Sequence, residues 1–155
     1  MNNSPFHAAI VTSYRGYTFR SQAEAIFARN LELGDYQWVY EPTEGWPPGW
    51  AIDFCAWWPT ERHPPVMEFV EFKPSRPTAA YVAFLTDRWR RSKWHGRPNA
   101  CLVLAIGNPY EPDDERATFE LCGEGWRRVE SDLLDHLDDA RRYRFDLAAP
   151  KMGWQ

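Results

Sequence analysis

Two strand-like segments separated by a helix-length segment constrain the fold of this chain more than any other feature of its sequence. Residues 66–73, VMEFVEFK, mix apolar and charged side chains, and residues 100–107, ACLVLAIG, form the continuous apolar run of a strand covered on both faces. Residues 78–92 repeat apolar side chains at helical spacing. A strand, a helix and a strand of these lengths form a crossover unit with two parallel strands. We therefore expect an α/β fold with helices flanking a central mixed sheet.

The other elements are predicted from hydrophobic period and from turn residues. We expect helices at residues 19–33, with Ser21 as the N-cap, and at residues 131–145, with Ser131 as the N-cap, strands at residues 36–42 and 50–58, and a hairpin at residues 118–130 that turns at 123–125. The length of 155 residues and the 44% hydrophobic content suit one domain over residues 1–155.

Membrane, secreted and disulfide-rich classes are disfavoured. No segment approaches the roughly 18 apolar residues of a membrane span, and the first residues lack a basic region followed by an apolar run, so we expect a cytoplasmic protein without membrane partners. Cys55, Cys101 and Cys122 are odd in number and far apart, which indicates neither a disulfide framework nor a zinc pair. We expect them to be small core residues.

The charged residues of segment 66–73 need an explanation, because burying a lone carboxylate costs several kcal/mol. Strand alternation places Phe69, Glu71 and Lys73 on one face and directs Glu68 to the other. Asp53 is similarly embedded in the apolar segment AIDFCAW. Glu24 lies at helical spacing from Phe27, Ala28 and Leu31, on or beside the apolar stripe of the first helix.

Two interpretations of these charges follow from the residues alone. In the first, Glu71 pairs with Lys73 and Asp53 bonds a backbone amide, which makes both features structural. In the second, Glu24, Asp53, Glu71 and Lys73 point toward one interior site. Carboxylate oxygens suit Mg²⁺, and an ammonium beside them can act on an attacking water or stabilise charge on a phosphoryl group. The joint pattern favours the second interpretation.

Four segments, in their order and at their intervals, resemble the conserved blocks of the PD-(D/E)xK nuclease superfamily, which has a restriction-endonuclease-like fold. They are FRSQAEAIFA (19–28), YQWVYEP (36–42), GWAIDFCAWW (49–58) and VEFKP (70–74). The chain is most similar to small endonucleases of phages and mobile elements and to the Tn7-type transposase endonuclease domain. The resemblance covers about residues 14–77, and residues 100–107 fit the next core strand. It implies a central mixed sheet of four to five strands.

The resemblance also implies a reaction and residue roles. The expected activity is Mg²⁺-dependent endonucleolytic hydrolysis of DNA by an activated water, with Mn²⁺ as a substitute ion. Asp53, Glu71 and the Phe72 carbonyl would bind the metal, Glu24 would bind through water or help a second ion, and Lys73 would act on the water. Ile52 replaces the family's proline before the aspartate, which removes no ligand.

DNA contacts are expected at the start of the first helix and in a basic middle segment. Residues 73–97 contain seven basic residues against one acidic residue, although the net charge is −4. The candidates are Arg20, Ser21, Arg76, Arg88, Arg90, Arg91 and Lys93. The Trp46/Trp50 and Trp57/Trp58 clusters are interpreted as core or rim packing rather than as platforms for base stacking.

Two other functions stay open at this point. The chain can be a non-catalytic protein that binds nucleic acid or another protein, including an inhibitor, and keeps the nuclease fold. It can also be a subunit of a larger recombination or restriction assembly, or a homodimer that cuts both strands.

Overall fold

The computed structural model describes residues 10–59, 65–111, 115–123 and 125–147. The prediction of one domain over residues 1–155 also includes segments outside these ranges and stays a prediction. The elements in chain order are β1 (Thr12–Tyr14), β2 (Tyr17–Phe19), α1 (Gln22–Leu33), β3 (Gln37–Tyr40), β4 (Phe54–Trp57), β5 (Met67–Lys73), α2 (Ala79–Arg90), β6 (Ala100–Ile106), β7 (Ala117–Cys122), β8 (Gly125–Val129), α3 (Leu137–Ala140) and β9 (Asp146–Leu147).

The main sheet is mixed and has six strands in the order β3-β4-β5-β6-β7-β8. Strands β5 and β6 are parallel and in register from Met67↔Ala100 to Lys73↔Ile106, with α2 as the crossover helix, which confirms the predicted strand–helix–strand unit. The other neighbouring strands are antiparallel. The predicted number of strands, four to five, is too low. The predicted hairpin, β7 and β8, extends the sheet beyond β6.

The two faces of the main sheet are covered by different helices. On the first face, Val70 and Phe72 of β5 belong to a core with α1, and the ring of Phe72 stacks on Phe27 with centroids 4.5 Å apart. On the opposite face, Phe69 packs with Trp89 of α2 at 5.9 Å. The alternation predicted for residues 66–73 is therefore confirmed, and it directs Glu71 and Lys73 toward the α2 side.

Helix α1 is shorter than predicted, because residues 17–19 pair with β1 as strand β2. Ser21 is its N-cap, as expected, and Gly34 ends it. A second sheet of three strands, β2-β1-β9, was not predicted. Its strands have only two or three residues, too few for a period of two to be recognised.

The predicted helix over residues 131–145 is wrong over most of its length. The structure has turns around a four-residue helix, Leu137–Ala140. Ser131 accepts a hydrogen bond from the Leu133 amide at 3.1 Å, a local turn that competes with helix initiation. Leu133 and Leu137 are fully buried in the α1-side core, so tertiary packing and not helical propensity fixes this segment.

The cysteines are free thiols, and Cys55 is buried, as predicted for a small core residue. Cys101 and Cys122 are only partly buried. Among the residues described above, no helix has the length and apolar character needed to cross a membrane.

Candidate active site

The four predicted site residues lie on three neighbouring elements. Glu24 is in the first turn of α1, Asp53 immediately precedes β4, and Glu71 and Lys73 end β5. Because β4 and β5 are antiparallel with Phe54 opposite Val70, the start of β4 lies beside the end of β5. The sheet therefore brings Asp53 next to Glu71.

Hydrogen bonds join Asp53 and Glu71 directly to the strand backbone. The Phe72 amide donates to Asp53 Oδ2 at 2.9 Å, and the Asp53 amide donates to Glu71 Oε1 at 3.3 Å. Asp53 and Glu71 are 4% and 2% exposed, so both carboxylates are essentially enclosed by protein. Such bonds fix the orientation of both side chains relative to the sheet.

Arg20 places a guanidinium between two of the carboxylates. Its Nη2 lies 2.7 Å from Glu24 Oε2 and 2.8 Å from Asp53 Oδ1. Its Nε contacts Glu41 Oε2 at 3.1 Å and the Tyr40 hydroxyl at 3.2 Å. In the structure Arg20 is the counter-ion of the acid cluster, and its predicted contact with DNA phosphate stays a prediction.

The Tyr40 hydroxyl completes the surroundings of Glu24, since it donates to Glu24 Oε1 at 3.0 Å. Glu41 follows directly and adopts a left-handed backbone conformation with φ 49°, which costs a non-glycine residue about 1 kcal/mol. Its amide donates to the Asp53 carbonyl at 2.8 Å, so this strained residue also fixes the start of β4. Backbone strain of this kind is concentrated at functional sites.

Lys73 and Tyr81 form the α2 side of the site. Lys73 Nζ lies 3.5 Å from Glu71 Oε2 and 4.4 Å from the centroid of the Tyr81 ring. The Tyr81 hydroxyl makes a short hydrogen bond to the same carboxylate oxygen. Thr78 caps α2 through the Tyr81 amide at 3.1 Å, which positions the ring. The lysine is thus held beside Glu71 by an ion pair and a cation–π contact.

The raised pKa of Asp53 indicates that the nearby cations do not fully balance the negative charge of the cluster. Burial raises the pKa of Asp53 well above its usual range, and the charges of Glu71 and Glu24 raise it further. Burial and the neighbouring Glu71 also raise the pKa of the Tyr81 phenol, which keeps it protonated as a donor. For Arg20, burial lowers the pKa, but the Tyr40 bond and the Glu24 and Asp53 charges outweigh burial and raise it.

The donor set fits a hard divalent cation in its chemistry. The charges of Glu71 and Glu24 oppose ionisation of the buried Asp53 carboxyl, and a divalent cation of the kind that carboxylates bind would relieve that repulsion. In the described part of the chain, no three His, Cys, Asp or Glu side chains are grouped in an arrangement that could hold a metal ion. The guanidinium of Arg20 lies between Glu24 and Asp53 in this conformation. The Phe72 carbonyl as a third ligand stays a prediction.

The two contacts that would make these charges purely structural are also present. Glu71 pairs with Lys73, and Asp53 accepts a backbone hydrogen bond. They do not account for Glu24, which comes from a different element and meets Asp53 through Arg20. The convergence of acids from a helix and two strands is therefore more than a local ion pair.

The residues predicted to bind DNA differ in the partners that they have in the structure. Ser21 Oγ accepts from the Glu24 amide at 3.2 Å as the helix cap. Two cations are paired, Arg91 with Asp87 at 3.3 Å and Lys93 with Glu44. The remaining three form no ion pair with any residue in the described ranges: Arg76, Arg88 and Arg90.

The sequence interpretation missed three features of the site: the role of Arg20 as counter-ion, and the hydroxyl groups of Tyr40 and Tyr81. A signal existed for Arg20, because its spacing of four from Glu24 is that of a helical ion pair. For Tyr81 the signal was the Thr78 cap soon after the strand end, which places the first turn of α2 beside Lys73. Nothing in the local sequence pairs Tyr40 with Glu24.

Comparison of the chain with protein-family models, with curated proteins and with solved structures gives no match in any of the three.

Proposed function

We propose that the protein is a metal-dependent endodeoxyribonuclease with a restriction-endonuclease-like core. The observation that carries this proposal is the convergence of buried Glu24, Asp53 and Glu71, with Lys73 3.5 Å from Glu71. A purely structural core has no physical need to bury Asp53 near two further acids, because the charges of Glu71 and Glu24 add to the cost of ionising it.

Each side chain has a role in this proposal. Asp53 and Glu71 would hold Mg²⁺ or Mn²⁺, with Glu24 contributing through water or to a second ion. The bound metal supplies Lewis acidity, which lowers the pKa of the attacking water and neutralises the leaving oxygen. Lys73 directs its ammonium toward the space beside Glu71, where it can orient that water and bond a phosphate oxygen.

Hydrolysis of a phosphodiester by water needs no covalent intermediate with the enzyme. The water oxygen forms the new bond to phosphorus, the bond from phosphorus to the leaving sugar oxygen breaks, and that oxygen takes a proton. The Tyr81 hydroxyl holds Glu71 in place throughout and is a positioning group. Cutting both strands of a duplex would use two copies of the chain or a larger recombination or restriction assembly.

The experiment is a cleavage assay on supercoiled, linear, single-stranded and branched DNA with Mg²⁺, with Mn²⁺ and with chelator. We expect cleavage only with metal, and its loss in Asp53→Ala and Lys73→Ala. Glu68→Gln is the matched control, because Glu68 is an acid of the same strand directed to the opposite face. Cleavage in chelator, or parental activity in both alanine variants, would refute the proposal.

A non-catalytic binding protein is the second candidate, and Arg20 is the observation that favours it. A guanidinium between Glu24 and Asp53 gives the acid cluster a counter-ion without any metal. This candidate predicts that the protein binds DNA or a protein partner equally with metal and with chelator and cuts no substrate. The nuclease proposal predicts metal-dependent cleavage.

A further inference from the structure

A line of aromatic rings begins at the candidate active site and continues along α2. Lys73 Nζ lies 4.4 Å from the centroid of the Tyr81 ring, Tyr81 is 5.9 Å from Phe84, and Phe84 is 5.9 Å from Trp50. Trp50 belongs to the loop that leads to Asp53. We call these three rings, Trp50, Tyr81 and Phe84, the aromatic seam, since they follow the junction between that loop and α2.

The rings of the seam are partly exposed to solvent, and Trp50 packs on a buried tryptophan. Phe84 is 37% exposed, and Tyr81 and Trp50 are partly exposed. Trp46 is 7% exposed and contacts Trp50 edge-on at 5.5 Å, which fixes that ring against the core. Ala80, four residues before Phe84 on the same helical surface, is exposed and carries neither charge nor bulk. All three rings are therefore at least partly open to solvent.

Cations lie at one end of the seam and over its middle ring. Lys73 is at the end beside the carboxylates, and the Arg88 guanidinium lies 4.7 Å over the ring of Phe84. Arg88 and the neighbouring Arg90 have no ion-pair partner among the described residues. The one acid nearby on α2, Asp87, is paired with Arg91. Two of the three rings of the seam therefore have a cation against the ring face, Lys73 on Tyr81 and Arg88 on Phe84.

We propose that the aromatic seam binds an unpaired DNA strand and leads it to the carboxylates, so that the substrate class is single-stranded or locally unpaired DNA. This proposal rests on the proposed nuclease function. Every base has a π face that can stack on an aromatic side chain, and cationic groups follow the backbone of such strands. In a duplex the base faces are occupied by neighbouring bases, so exposed rings add little. An uncharged apolar partner would leave Arg88 without counter-charge.

The test measures binding without cleavage. Fluorescence anisotropy with chelator compares a labelled DNA oligonucleotide as a single strand, the same sequence as a duplex, and the matching RNA. We expect the single DNA strand to bind more tightly than the duplex. Phe84→Leu keeps apolar volume but removes the ring, and we expect about tenfold weaker binding, the loss of one base stack of about 1.4 kcal/mol.

Two variants serve as controls for the ring. Phe84→Tyr keeps a stacking face, and Trp58→Ala removes another exposed aromatic side chain, 54% exposed and stacked on Tyr36. Both are expected to bind within about twofold of the parent. Arg88→Gln gives a readout that unfolding does not mimic: the slope of log K against log salt falls by about 0.7 for one lost contact with a single strand.

The outcomes separate this inference from the nuclease proposal. Unchanged binding in Phe84→Leu, or tighter binding of duplex or of RNA, overturns the inference even if the parent cuts DNA with metal. Weaker binding in Phe84→Leu together with no cleavage by the parent on any DNA supports the seam and refutes the nuclease. A dimer that Phe84→Leu dissociates while DNA binding is unchanged overturns the inference in favour of a second copy.

Discussion

Replacing Arg20 with Met tests whether the acid cluster depends on a protein counter-ion. An ion pair between exposed partners contributes about 0–1 kcal/mol, whereas removing one partner of a buried pair costs about 3–5 kcal/mol. The Arg20 side chain is 62% exposed, but those of Asp53 and Glu24 are only 5% and 11% exposed. After discounting for solvent screening, we expect Arg20→Met to lose about 1–3 kcal/mol of unfolding free energy near neutral pH.

Urea unfolding in chelator measures this loss, and Arg91→Met is the matched control. Arg91 is 60% exposed, like Arg20, but its partner Asp87 is 59% exposed, so we expect a loss of no more than about 0.5 kcal/mol. Adding Mg²⁺ should restore stability in Arg20→Met, because a ligand that binds only the folded state stabilises it. Equal losses in the two variants would refute the argument that Arg20 neutralises the cluster.

Two further predictions concern single groups around the sheet. Burial raises the pKa of Glu68 from 4.5 to about 7, and the charges of Asp132 and Glu120 add to the rise. Between these two pH values the folded state holds a proton that the unfolded state has lost. The free energy of unfolding therefore falls as the pH rises from 4.5 to 7. Glu68→Gln should therefore gain up to about 3 kcal/mol in urea unfolding above pH 7 and nothing below pH 4.5, and a gain independent of pH would contradict this cause. Tyr81→Phe removes the hydroxyl bound to Glu71, a proposed metal ligand, and should lower cleavage and metal affinity about tenfold. Tyr36→Phe, whose hydroxyl bonds a different carboxylate, should leave both unchanged. Parental metal affinity in Tyr81→Phe, measured by titration calorimetry, would exclude the positioning role.

The crossover unit and the two faces of β5 could be predicted because each depends on a local period. The two strands have seven residues each and the capped helix has twelve, which is long enough for the periodic placement of apolar residues to be recognised. The three-stranded sheet and the turns around α3 could not be predicted in this way. Strands β1, β2 and β9 have at most three residues, and Leu133 and Leu137 are buried through contacts with distant parts of the chain.

The site was predictable to the extent that strand alternation and register determine it. Glu71 and Lys73 share a face because they are two residues apart, and Asp53 meets Glu71 because β4 and β5 are antiparallel neighbours. The partners of these charges were harder to predict. The Arg20 side chain spans from the start of α1 to the start of β4, and the choice between phosphate and carboxylate depends on where the two elements meet. Sequence alone cannot distinguish a cation that awaits a ligand from one that is already paired.

The difference between the two cations of the site follows from how each is held. Lys73 is 31% exposed and fixed by Glu71 and by the face of Tyr81, whereas Arg20 reaches its carboxylates from a side chain that is 62% exposed. Arg20 Nη2 contacts two of the proposed metal ligands, Glu24 and Asp53, whereas Lys73 contacts only Glu71. A divalent ion would therefore displace Arg20 before Lys73. The released guanidinium would remain at the start of α1, next to the carboxylates, where a phosphate is its natural partner. On this view, pairing with the acids and contact with DNA are two states of one side chain.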